Sequence, residues 1–158
     1  MGFTPGLLDR LMDERLDAGA GQPFTTEQLK DSVARDLEAL LNTRLAIDPA
    51  VLHGYPEARG SLLHYGLADF AGYCLTSSID RAAVCASIKE AIEAHEPRLR
   101  DVSATLDVLP GSVNRLDFVI HARLAVTQGA EPVHFNAVLQ PSSLHYAVRH
   151  SKRGNRRT

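Results

Sequence analysis

The sequence predicts an α+β domain, with N-terminal helices packed on one face of a C-terminal antiparallel β-meander. Apolar residues recur at helical spacing up to His95 and alternate strictly after Leu99. The change of period falls on Glu96-Pro97-Arg98, where the proline disfavours helical backbone in the residue before it. The size and composition, 158 residues with 44% apolar and 23% charged side chains, suit one domain with a true core.

Leu7, Leu8, Leu11, Met12 and Leu16 mark a short amphipathic helix, followed by the Gly- and Pro-containing stretch Asp17 to Pro23. Residues 1–23 are therefore expected as a helix and flexible linker, 24–149 as a single domain, and 150–158 as a basic, disordered tail. Thr25 or Thr26 can cap a second helix, whose stripe is Leu29, Val33, Leu37, Leu40 and Leu41. Gly54, Pro56 and Gly60 predict an irregular segment, and Tyr65-Gly66-Leu67-Ala68-Asp69 a bend. A third helix starts at Ser78, has Asp80 in its first turn, and carries Ile79, Ala83, Ile88 and Ile92 as its apolar face.

Four alternating runs follow: Val102 to Val108, Leu116 to Val126, Val133 to Leu139, and Leu144 to Val148. The turns Leu109-Pro110-Gly111-Ser112 and Gln128-Gly129-Ala130-Glu131 place Val108 opposite Leu116 and Val126 opposite Val133. One apolar face results, and it needs the helices as cover.

Seventeen basic and nineteen acidic residues give a net charge of −2, which offers no field for a nucleic acid. Cys74 and Cys85 lack ligand or disulfide spacing and fit thiols in a reducing compartment. No run reaches the roughly 18 apolar residues of a membrane span, and no apolar leader follows the N-terminus, so the expected location is cytoplasmic, without membrane insertion.

Seven histidines invite a metal. In the register above, His121 and His145 flank Val138 on opposite sides, on the order of 9–10 Å apart, and His134 lies further along, so no metal or other cofactor is expected. Asp107 and Asp117 face each other on the polar side of the first hairpin and are the best candidates for a pair of catalytic carboxylates, but an exposed sheet face is not a cleft. Phosphate-loop, nucleophile-elbow and dinucleotide fingerprints do not occur, and no small-molecule substrate is implied. Glu96 and Arg98, two apart in extended chain, either pair with each other or solvent, or form a docking point for another protein.

Three segments in order, Asp36-Leu37-Glu38-Ala39-Leu40-Leu41-Asn42-Thr43-Arg44, Tyr65-Gly66-Leu67-Ala68-Asp69 and Glu96-Pro97-Arg98-Leu99, followed by a meander, resemble the TssE family over roughly Leu7 to Val148. These are baseplate subunits of type VI secretion systems, similar to the small wedge protein of contractile phage tails and often labelled "lysozyme-like". The resemblance implies a non-enzymatic wedge subunit that docks through Glu96, Pro97 and Arg98 on the core bundle of the larger wedge subunits and connects to the contractile sheath. Ala68 stands where the family commonly has proline, and His95 where it usually has an aromatic apolar residue. An open sheet edge, with the strand around Leu144 to Val148 as candidate, would add a strand from a sheath protein. Arg98→Glu is then expected to sever association with thermal stability nearly intact. The alternatives are a peptidoglycan-cleaving hydrolase, as the family label suggests, or the equivalent wedge subunit of a phage tail or other contractile injection machine.

Overall fold

The computed structural model describes residues 25–70, 72–74, 77–107, 116–126, 129–140 and 143–151. The expected first helix and linker, the turn at 109–112 and the tail from 152 onward lie outside them.

Helix α1 (Thr26–Asn42) begins with a reciprocal cap: Thr25 Oγ1 accepts from the Gln28 amide at 3.2 Å while Gln28 Oε1 accepts from the Thr25 amide at 2.9 Å. Its stripe Leu29, Val33, Leu37, Leu40 and Leu41 is buried as the periodicity requires. Three short 3-10 helices (Val51–Gly54, Pro56–Gly60, Leu62–His64) occupy the irregular segment. Helix α2 (Ser78–His95) is capped by Ser77, whose hydroxyl accepts from the Asp80 amide. Its buried face is Val84, Ile88, Ala91 and Ile92, which keeps the expected Ile88 and Ile92 but leaves the expected Ile79 and Ala83 exposed. Ile79 is 78% exposed because it stands nine residues before Ile88, which at 3.6 residues per turn is about 180° round the helix.

Strands β1 (Leu99–Asp107), β2 (Leu116–Val126), β3 (Gly129–Gln140) and β4 (His145–His150) form one antiparallel sheet in sequence order. Helix α1 packs along β4 and α2 along β1, and both bury the face carrying Phe118, Ile120, Leu124, Phe135 and Tyr146. The α+β arrangement is the expected one. In the first hairpin Asp107 faces Asp117, the register the sequence predicts, with a bulge between Arg100 and Ser103 where Asp101 takes φ 52°.

The second hairpin differs. Val126 pairs with Gly129, not Val133, so β3 starts four residues earlier than expected. Gly129 to Glu131 read as turn residues, but with Pro132 they continue the strand: Gly129 adopts φ +127°, and Pro132 lies beyond the last β4 pair, Phe135 with His150, where no outward amide is needed. A slip of four is even, so it leaves every side chain on its expected face. Leu144 does not join β4; it is exposed in a turn with φ 52°.

Candidate interaction site

Glu96 ends α2 with φ −120° and ψ 82°, outside the helical region as its proline neighbour requires, while its amide still donates to Ile92 O at 2.8 Å. Pro97 occupies the second position of a turn closed by Leu99 N donating to Glu96 O at 3.0 Å. The turn folds Arg98 back on Glu96. Arg98 Nε donates to Glu96 Oε1 at 2.6 Å, Nη2 donates to Glu96 Oε2, and the Arg98 amide donates to Oε1 at 3.2 Å. Nη2 also donates to Asp36 Oδ2 on α1 at 2.5 Å.

Glu96 and Arg98 therefore close on each other and on α1. The Glu96 side chain is only 6% exposed, against 30% for Arg98 and 33% for Asp36. Its hydrogen bonds to Glu96, outweighing the cost of burial, hold the guanidinium charged well beyond the usual arginine range. Pro97 is exposed and Arg98 half-buried, and Arg98 Nη1 donates to no described residue.

The other two segments meet here. His95 Nε2 donates to His64 O at 2.9 Å and its ring lies edge-on to Tyr65, centroids 5.2 Å apart, so it packs like an aromatic residue with a polar tip. Burial, then the charges of Asp36 and Glu96, push the Tyr65 hydroxyl up. Gly66 has φ +123°, and a Cβ there would stand 2.6 Å from Thr43 O. This close approach lets Leu67 N donate to Thr43 O at 2.8 Å and Leu67 O accept from Leu45 N at 3.0 Å, locking the bend onto the exit of α1.

Sequence reasoning reached Glu96, Pro97 and Arg98 but missed Asp36 as their third partner, 62 residues away from Arg98. It also missed a polar cluster at the opposite end of α1, where the buried Lys30 Nζ donates to Glu131 at 2.8 Å and Glu27 at 3.1 Å. Asp107 and Asp117 do face each other, on the outer side of the sheet.

Two expectations require correction. The outer edge of β4 is not open: Asn42 Nδ2 donates to Tyr146 O and Asn42 Oδ1 accepts from Tyr146 N, both at 2.8 Å. Glu38 Oε2 accepts from Val148 N at 2.8 Å, and just past α1 Arg44 Nη2 donates to Leu144 O, in the turn before β4, at 3.2 Å, so α1 and its exit already supply partners that an added strand would bring. The histidine geometry also changes with the register. His121 pairs directly with His134, not Val138, and their Nδ1 atoms lie 2.6 Å apart.

Among the described residues no helix is long and apolar enough to cross a membrane. Residues 27–129 match the family model described as baseplate wedge protein gp25. No curated protein matches the chain. Among solved structures it is similar to a chain of "The baseplate complex from the type VI secretion system", with 21% identity, 72% of this chain and 96% of that chain covered, and a TM-score of 0.49.

Proposed function

The chain belongs to the baseplate wedge protein gp25 family, and from that premise we propose that it is a non-enzymatic structural subunit of a type VI secretion baseplate. It works in the cytoplasm, docking on the core bundle of the larger wedge subunits and linking that bundle to the contractile sheath. The observation that carries this reading is convergence. Three segments far apart in sequence meet as one patch: Asp36 with Arg98, Thr43 with Gly66 and Leu67, and Tyr65 with His95. Those are the segments on which the resemblance to type VI baseplate subunits rests.

In this reading Glu96 is the orienting residue and Arg98 the docking one. The buried carboxylate holds the guanidinium by Nε and Nη2, and in this reading the Nη1 donors, which bond to no described residue, are left for a carboxylate or carbonyl of the partner, next to the exposed Pro97. A sheath contact made by strand addition would use β1, since the β4 edge is taken.

Co-expression with the larger wedge subunits tests the docking role. Arg98→Lys keeps a cation beside Glu96 and Asp36 but removes the fork, and it should reduce co-purification at least tenfold while circular dichroism shows a folded protein. Asp107→Asn should associate as the parent does. Full association of folded Arg98→Lys and Arg98→Glu would refute the docking role. Clearing of cell-wall material by the purified protein, lost in Asp107→Asn or Glu96→Gln, would establish the hydrolase instead. Association with phage-tail wedge proteins but not with type VI ones would move the subunit to that machine.

A further inference from the structure

The observed β2–β3 register sets His121 and His134 directly opposite each other on the outer face of the sheet, away from the helices. Their rings meet edge to face with centroids 4.6 Å apart, and the two Nδ1 atoms are 2.6 Å from each other. At that distance one Nδ1 carries a hydrogen and the other accepts it, so two lone pairs converge on the position of one proton.

We propose that His121 and His134 form a two-histidine chelate for a late first-row divalent ion, with Zn2+ as the representative. Replacing the shared proton by a metal needs both Nδ1 atoms at about 2.0–2.1 Å from the ion, which in tetrahedral geometry separates them by roughly 3.3 Å. The rings must therefore part by less than 1 Å, a small side-chain rotation for an exposed His121 and a half-buried His134. The backbone need not move, because two strands already joined by ladder hydrogen bonds fix the pair. Imidazole suits Zn2+, Ni2+ and Cu2+ and not Mg2+ or Ca2+, which take oxygen ligands.

Other side chains border the pair. Ser103 on β1 faces His121, and in the next row Arg123 lies 3.9 Å from Asp101, which offsets part of its charge. The described residues gather no third histidine, cysteine or carboxylate at the pair. Two coordination positions therefore fall to water or to a side chain of a protein placed against this face, which gives the sheet a metal-dependent contact point separate from the Arg98 patch.

The test uses the untagged full chain, titrated with ZnCl2 in a calorimeter at neutral pH, with MgCl2 as control. Binding of one Zn2+ per chain is expected, weakened at least tenfold in His121→Ala and again in His134→Ala, and unchanged in His53→Ala. With Cu2+ as probe, the electron paramagnetic resonance spectrum should show two nitrogen ligands in the parent and one fewer in either single variant. Failure to bind Zn2+ up to millimolar concentration overturns the proposal, as does binding of equal strength in a folded His121→Ala or His134→Ala.

Discussion

Arg98→Met removes the partner of a carboxylate that is 6% exposed while keeping most of the aliphatic stem. Truncating one member of a buried pair costs about 3–5 kcal/mol, because the other charge is left without compensation. Two features place Arg98→Met near the lower end. Arg98 is itself 30% exposed, so water can reach part of the vacated space, and the bond to the 33% exposed Asp36 is screened and contributes less than about 1 kcal/mol. The expected loss is about 3 kcal/mol, or roughly 6–12 °C in Tm for a chain of this size. Glu96→Gln should cost less, about 1–2 kcal/mol, since its amide oxygen still accepts from Arg98 and Asp36 keeps the guanidinium paired. The double variant should lose less than the sum of the two, with a coupling of about 1–2 kcal/mol. Urea unfolding followed by circular dichroism at constant m-value measures all three. A loss below about 1 kcal/mol for Arg98→Met, or additive single effects, would refute a buried, mutually dependent pair. This replaces the sequence-based expectation that Arg98→Glu leaves stability intact, because the added carboxylate would face the buried Glu96 and Asp36.

Gly66→Ala combines a left-handed φ with a Cβ 2.6 Å from Thr43 O, and should cost about 2 kcal/mol or more in the same urea assay. Asn42→Ala removes three hydrogen bonds, two of them to the β4 backbone, and is expected to lose about 2 kcal/mol and to raise light scattering on storage as the edge opens. Burial pushes the Tyr146 hydroxyl up to about 12. The unfolded chain ionises near pH 10 and the folded one does not, so stability present below pH 10 falls by about 2–3 kcal/mol as the pH rises from 10 to 12. Lys30 loses its paired charge over an overlapping alkaline range, so the Tyr146 share is read as the part of the slope that Tyr146→Phe abolishes.

The helix and strand periods, the break at Pro97 and the first hairpin's register were legible because each depends on residues close in the chain. Thr25 and Gln28 cap α1 within four residues, and Asp107 finds Asp117 across one turn. Where two structures satisfy the same local pattern, the sequence did not discriminate. A four-residue slip of β3 buries the same Val133, Phe135 and Ala137, so alternation could not tell Val126–Gly129 pairing from Val126–Val133. The histidine pair was lost with that slip. Ile79 was misplaced for a related reason, since helical periodicity leaves the choice of buried face to whatever packs against it.

By itself the sequence determined the α+β division, the faces of helix α1 and the strands, and the charged hinge at Glu96-Pro97-Arg98, since steric and hydrophobic preferences act over a few residues. Tertiary structure alone decided that Asp36 completes the hinge from 62 residues away, that α1 closes the β4 edge, and that His121 meets His134. Those contacts join segments whose separate preferences are met equally well apart, and only burial of the shared core brings them within hydrogen-bond distance.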